Sequence, residues 1–99
     1  MFQWDSENIS HIAEHGITPE ETEQVIANDP FDFDIQYRKN EERIVQLGET
    51  AKGRILVVVT TWRDNLIRVI TAFPASKALR TFYISQKGTI TNGEGIQNP

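Results

Sequence analysis

The side chains with the clearest chemical potential in this 99-residue chain are cations in its second half. Arg68 lies within an otherwise apolar predicted strand, where a guanidinium needs a carboxylate, a phosphate or water as its partner. Arg43 and Arg63 stand in or beside neighbouring predicted strands, and Lys77 and Arg80 begin the last predicted helix. Such a group of cations could hold a scissile phosphate, align a 2′-hydroxyl for in-line attack and stabilise the transition state.

Four further side chains are candidates for the same predicted RNA-cleaving site. Tyr83 or His15 could transfer a proton, which RNA cleavage requires. Trp62 and Tyr37 could each stack on a base, because aromatic faces bind bases without sequence preference. For both rings the alternative is packing in the core or in a hairpin.

A structural interpretation of the arginines competes with the catalytic one. Arg43 and Arg68 could pair with Asp32, Asp34 or glutamates of neighbouring strands. Ion pairs of this kind often do no more than make a sheet surface soluble. Residue types alone favour this interpretation over a phosphate site.

One short motif has metal-ligand spacing. His11, Glu14 and His15 match the H-x-x-E-H pattern of a metalloprotease class, in which two histidines share Zn²⁺ and the glutamate activates water. The alternative is two partly exposed histidines on a helix. Short motifs often match by chance, and Gly16 ends the helix at once. We therefore predict neither a metal site nor another cofactor.

The elements that must position these residues centre on residues 54–75. Residues 55–59 form a continuous apolar run of the kind found in a strand buried on both faces. Residues 62–65 have turn chemistry, since Asp and Asn tolerate positive φ. Residues 66–73 form the return strand, which Pro74 ends because proline cannot donate to the ladder.

The first half of the chain predicts a short strand and two helices. Residues 2–4 form the strand, and Asp5 or Ser6 caps the first helix. Thr18 caps the second helix, with Pro19 at its first position and Glu21 closing a capping box.

Two strands and a final helix complete the prediction. Residues 31–36 alternate apolar and polar side chains, residues 37–42 are a polar loop, and residues 43–47 are a second strand. The last helix begins after Ser76. Residues 88–99 have the composition of a disordered tail.

The predicted fold class is α+β. Four consecutive strands with short connections form a mainly antiparallel meander, joined by the short N-terminal strand. Two N-terminal helices and one C-terminal helix pack on one face of this small sheet. We place a single domain at residues 1–87 and the tail at residues 88–99.

The composition of the chain argues against several classes of protein. The formal net charge of −4 argues against a protein that wraps nucleic acid, although the second half of the chain is locally basic. Cysteine is absent, which excludes disulfides and thiolate sites and fits a reducing cytoplasm. The N-terminus lacks signal-peptide features, and no apolar run has the length of a membrane span.

The order and spacing of these segments resemble the BrnT family of toxins from type II toxin–antitoxin modules. The resemblance runs from about residue 2 to residue 83 and rests on Phe2-Gln3-Trp4-Asp5, Glu14-His15-Gly16-Ile17, Glu20-Glu21, Asp29-Pro30, Glu42-Arg43, Gly48, Val57-Val58-Val59-Thr60, Arg63 and Arg68-Val69-Ile70-Thr71-Ala72.

The resemblance implies a RelE-like fold and metal-independent RNA cleavage that inhibits translation. It also implies a cognate antitoxin that binds operator DNA, and a homodimer is a further assembly to consider. The candidate catalytic residues are Arg43, Arg63, Arg68, Tyr83 and His15. The candidate RNA-binding residues are Lys77, Arg80 and Trp62.

The chain departs from the family pattern at four positions. Glu14 stands where the family usually has lysine, and His11 stands where it usually has asparagine. Phe73 replaces an arginine, and Leu79 replaces an acidic residue before Arg80. Two functional hypotheses follow: a ribonuclease toxin, or a non-catalytic relative that acts as a protein-binding module.

Overall fold

A computed structural model describes residues 1–96 of the chain and the side chains of residues 1–88. Its elements, in chain order, are β1 (Phe2–Gln3), α1 (Ser6–Ala13), α2 (Pro19–Ala27), β2 (Phe31–Arg38), β3 (Glu41–Glu49), β4 (Ile55–Arg63), β5 (Leu66–Pro74) and α3 (Lys77–Ile96).

The strands form one five-stranded sheet in the order β1-β5-β4-β3-β2. Strands β2 to β5 are an antiparallel meander, because each pairs with the next one along the chain. Strand β1 pairs in parallel with β5, placing Phe2 opposite Ile67 and Gln3 opposite Arg68. The predicted α+β class and its mainly antiparallel sheet are confirmed.

Strand β4 lies between two hydrophobic cores. Leu56 and Val58 belong to the first core, which also contains Ile12, Ile17 and Val25 from the α1–α2 region. Val57 and Val59 belong to the second core, together with Val45, Leu47, Ala75 and Tyr83. The prediction of a strand buried on both faces is therefore confirmed.

The prediction that all helices pack on one face of the sheet is wrong. Helices α1 and α2 contribute to the first core, whereas Tyr83 of α3 contributes to the second. Successive strand residues point to opposite faces. A strand that is apolar on both faces needs cover on both, and α3 provides it on the second face.

Two of the three hairpins in the β2–β5 meander, β2–β3 and β4–β5, turn over two residues with positive φ. These residues are Lys39 and Asn40 (φ 52° and 62°) in one turn, and Asp64 and Asn65 (φ 53° and 65°) in the other. Such turns match the twist of the flanking strands, so the ladder continues up to them. The predicted loop at residues 37–42 is therefore wrong, and residues 62 and 63 belong to β4.

Side-chain caps start the two N-terminal helices. The Asp5 carboxylate accepts hydrogen bonds from the backbone N–H groups of Glu7 and Asn8. Thr18 and Glu21 form a reciprocal capping box at the start of α2, as predicted. The first cap directs the chain from the edge of the sheet into α1.

Helix α3 runs to Ile96, beyond the end that we predicted before Gly88. Residues 97–99 of the predicted tail lie outside the described residues, and the disorder of that tail stays a prediction. In the described part of the chain, no helix is both long and apolar enough to cross a membrane.

Candidate active site

A surface cleft of about 600 Å³ lies between α1 and the sheet. We call it the arginine cleft, because Arg43, Arg63 and Arg68 all line it. Strands β3, β4 and β5 contribute these arginines, together with Val69 and Ile70. The facing wall comes from α1 and its C-terminal cap, with the side chains of Ser6, Glu7, Asn8, Ser10, His11 and Glu14.

Strand alternation explains why an arginine of β3 reaches this cleft. Arg43, Val45 and Leu47 occupy alternate positions and share one face of the sheet. Val45 and Leu47 contact the second core, which α3 covers. Arg43 stands near the other end of the strand, where the same face is open.

Arg68 is the most enclosed of the three arginines, with 6% of its surface exposed. Its Nη1 donates to Asp5 Oδ2 at 2.9 Å and to Gln3 Oε1 at 3.2 Å, and its Nη2 contacts Glu7 Oε1 at 3.4 Å. The hydrogen bond from Arg68 lowers the pKa of Asp5 below its usual value. The residue that caps α1 therefore also holds this guanidinium in place.

Arg63 and Arg43 share a single carboxylate. Arg63 donates from Nε to Glu41 Oε2 at 2.8 Å and from Nη2 to Oε1 at 3.1 Å. Arg43 Nη2 lies 3.3 Å from the same Oε1. The hydrogen bond between Arg63 and Glu41 lowers the pKa of the carboxyl group and raises the pKa of the guanidinium.

The acidic partners of these arginines differ from those that the sequence indicated. Asp32 accepts a hydrogen bond from Gln46, and Asp34 accepts one from the backbone N–H of Ile35. The antiparallel pairing of β3 with β4 brings Glu41 to Arg63, and the β1–α1 connection brings Asp5 to Arg68. The sequence predicts that these arginines form ion pairs, but the choice of carboxylate partner depends on the fold.

The carboxylates around Arg68 lie on the solvent side of the pair. The side chains of Asp5 and Glu7 are 51% and 86% exposed, whereas that of Arg68 is 7% exposed. Exposed carboxylates form weak, exchangeable ion pairs. The carboxylates therefore lie between the Arg68 guanidinium and the solvent.

The two residues predicted to transfer protons do not line the arginine cleft. The His15 ring lies edge-on to His11 and Phe73, with centroid separations of 5.9 and 6.1 Å. Tyr83 is buried in the second core and donates from its hydroxyl to Glu49 Oε1 at 3.2 Å. Burial, together with the Glu49 charge, raises the pKa of Tyr83 to about 12.

The predicted RNA-binding residues also lie outside the cleft. Lys77 and Arg80 are exposed on α3, and Arg80 Nη1 donates to the backbone oxygen of Ala75 at 2.9 Å. Trp62 is 60% exposed and borders a second, smaller cleft beside the Lys39–Asn40 turn.

Two residues of the metalloprotease-like motif, His11 as a possible metal ligand and Glu14 as a possible water-activating group, line the cleft instead. His11 and Glu14 line the arginine cleft, but the described residues contain no group of three or more His, Cys, Asp or Glu side chains able to hold a metal ion. The signal that could have identified them is the spacing of Glu7, His11 and Glu14, which places all three on one helix face.

The four departures from the family pattern have different positions in the structure. Two of them, His11 and Glu14, belong to the cleft wall. Phe73 contacts His15, and Leu79 packs against the second core. Half of the departures therefore change the cleft itself.

Comparison with known proteins identifies the family of the chain. No curated protein matches the chain significantly. A family model described as "Ribonuclease toxin, BrnT, of type II toxin-antitoxin system" matches residues 4–78, which include the two N-terminal helices, strands β2–β5 and all three arginines of the cleft. The chain therefore belongs to the BrnT family of ribonuclease toxins from type II toxin–antitoxin systems.

Proposed function

We propose that this chain cleaves RNA at the arginine cleft without a metal ion and thereby inhibits translation. The observation that carries the proposal is the convergence of Arg43, Arg63 and Arg68, from three different strands, on one open cleft. Guanidinium groups bind phosphate oxygens in a bidentate manner and stay charged at every physiological pH. Three of them can bind the scissile phosphate and stabilise the charge that develops on it.

The existing ion pairs orient the arginines for phosphate binding and do not prevent it. Asp5 and Gln3 hold the buried Arg68 guanidinium in one orientation, so little ordering is required when the phosphate binds. Glu7 is largely exposed and contacts Arg68 at 3.4 Å. A phosphate that displaces it loses an interaction of only about 0–1 kcal/mol, the usual range for exposed pairs.

Membership of a type II toxin–antitoxin family implies a cognate antitoxin as the protein partner. We further propose that Lys77, Arg80 and Trp62 contact RNA beyond the cleft. Their exposure supports this role, because each can reach solvent without rearrangement of the core.

The first test compares Arg63→Ala with Arg54→Ala in the purified protein. Both arginines pair with one glutamate and have similar side-chain exposure, 42% for Arg63 and 40% for Arg54. Only Arg63 lines the cleft. We expect Arg63→Ala to slow cleavage of a mixed-sequence RNA by about 100-fold, the usual effect of removing one donor to a transition state, with Arg54→Ala near wild type.

The assay is run with EDTA present, and cell growth is followed during induced expression. Equal cleavage by Arg63→Ala and wild type would contradict a role for the cleft. Loss of cleavage in EDTA would contradict the metal-independent mechanism.

A second candidate function is a non-catalytic, protein-binding relative of the family. The supporting observation is that Arg43, Arg63 and Arg68 each have a carboxylate partner already. This function predicts intact RNA and normal growth at confirmed soluble expression. The same experiment therefore separates the two functions.

A further inference from the structure

We propose that Glu14 and His11 are the general base and the general acid of RNA cleavage at the arginine cleft. The inference rests on the proposed function and identifies the groups that move protons during it. Both side chains belong to the wall that faces the three arginines.

The two side chains lie next to each other on α1. They are three positions apart, and Glu14 keeps helical backbone angles (φ −63°, ψ −23°) as the C-terminal cap. Residues at this spacing have Cβ atoms roughly 5–6 Å apart on the same helix face. Both are exposed, so a bound phosphodiester can contact both at once.

The other acidic residues at the cleft already have roles. Asp5 and Glu7 accept from Arg68, and Glu41 accepts from Arg63 and Arg43. Among the side chains that the structure describes, Glu14 and His11 take part in no ion pair. A carboxylate that is not neutralised by arginine remains available as a base.

RNA cleavage by attack of the 2′-hydroxyl needs one general base and one general acid. The Glu14 carboxylate takes the proton from the 2′-hydroxyl, and the 2′-oxygen forms a bond to phosphorus. The bond from phosphorus to the 5′-oxygen breaks, and the His11 imidazolium gives its proton to that oxygen. The products are a 2′,3′-cyclic phosphate and a 5′-hydroxyl end, while the arginines stabilise the charge on the phosphoryl oxygens.

Proton exchange with solvent then restores both groups. Because the base must be ionised and the acid protonated, cleavage has a bell-shaped dependence on pH. The charged and titratable groups that face the pair are Glu7 from α1, His15 just beyond the C-terminal cap of α1, and Arg43, Arg63 and Arg68 from the sheet.

The experiment measures RNA cleavage by wild type, Glu14→Gln and His11→Gln across the pH range. We expect each variant to lose about 100-fold or more in rate, the usual contribution of a general acid or base. Glu14→Gln should lose the acidic limb of the profile, and His11→Gln should lose the basic limb. Glu20→Gln on the exposed surface of α2 is the matched control and should keep the wild-type profile.

A second substrate separates the two roles. In an RNA oligonucleotide with sulfur in place of the bridging 5′-oxygen, the leaving thiolate needs no proton. We expect this substrate to restore most of the rate of His11→Gln and none of the rate of Glu14→Gln. Circular dichroism of each variant checks that it is folded.

Several results would overturn the inference. One is a wild-type pH profile in both variants, and another is a wild-type cleavage rate in both variants. Recovery of Glu14→Gln with the sulfur substrate would reverse the assignment. If wild type cleaves RNA and Arg63→Ala does not, the proposed function stands even when this inference fails; if wild type cleaves no RNA, both fail.

Discussion

At the scale of single residues, the same contacts serve stability and function. Asp5 caps α1 and also accepts from Arg68, so the start of the helix and the orientation of the guanidinium depend on one carboxylate. A buried arginine without such a partner would be strongly unfavourable. The cleft therefore cannot lose Asp5 without disturbing the element that carries its facing wall.

The environment of Tyr83 predicts a specific response to alkaline pH. Its pKa is raised from 10.0 to about 12, so above pH 10 the unfolded chain loses a proton that the folded protein keeps. Stability present below pH 10 is then lost as the pH rises to about 12. We expect Tyr83→Phe to show a shallower fall in the free energy of unfolding over this range.

Urea unfolding at a series of pH values measures this slope. Tyr37→Phe is the comparison: the hydrogen bond to Glu42 raises the pKa of this 71% exposed phenol in the same direction, and we expect a smaller change in slope than for the buried Tyr83. If the free energy of unfolding has the same pH dependence in wild type and Tyr83→Phe, the pKa of the Tyr83 phenol is not raised by folding.

At the scale of elements, the contact between α2 and the sheet depends on the absence of a side chain at Gly48. A Cβ atom at this position would lie 3.0 Å from Val25 Cγ1 and 3.2 Å from Pro30 Cβ. Helix α2 can therefore pack close to β3 only because residue 48 is glycine. This close approach also holds Val25 in the first core.

Gly48→Ala should destabilise the protein by about 1–3 kcal/mol, as is usual when a packed core is overfilled. Gly88→Ala is the matched control, because nothing lies within 4 Å of a Cβ atom there. In the double variant with Val25→Ala, the removed methyl groups leave room for the new one. Urea unfolding should then show less destabilisation than the sum of the single changes, and strict additivity would contradict the packing argument.

At the scale of the whole molecule, β4 joins the two cores into one structure. Leu56 faces the first core, and its neighbour Val57 faces the second. Loss of either core would expose one face of a strand that is apolar on both. The two cores should therefore unfold together.

Leu56→Ala and Leu47→Ala test this cooperativity, since they remove fully buried side chains from the first and second core. Each should cost about 2–5 kcal/mol. Trp4, which packs against the first core, and Tyr83, in the second, should report the same transition midpoint in each variant. The fluorescence of Trp4 is measured in a Trp62→Phe background, and the tyrosines are followed by absorbance. Different unfolding midpoints for the two probes would show that the cores unfold independently.

Much of the fold could be predicted from sequence, because its signals are local. The apolar run of β4, the Asp64–Asn65 turn and the capping box of Thr18 and Glu21 each depend on residues close together in the chain. Such preferences act through backbone sterics and short-range hydrogen bonds, and these were confirmed. The strand ends and the two-residue turn at Lys39 and Asn40 were missed, because exposed polar residues pair as readily as they form loops.

Residue types identify the side chains with chemical potential, whereas contacts between elements bring some of these side chains together and keep others apart. Arg43, Arg63 and Arg68 were identified from residue type, and the sheet register brings them to one cleft. Their carboxylate partners, the position of Tyr83 in a core and the presence of His11 and Glu14 in the cleft wall depend on contacts between distant parts of the chain. Residue type and spacing do not predict such contacts. The contacts form only when the two cores, on opposite faces of β4, pack together.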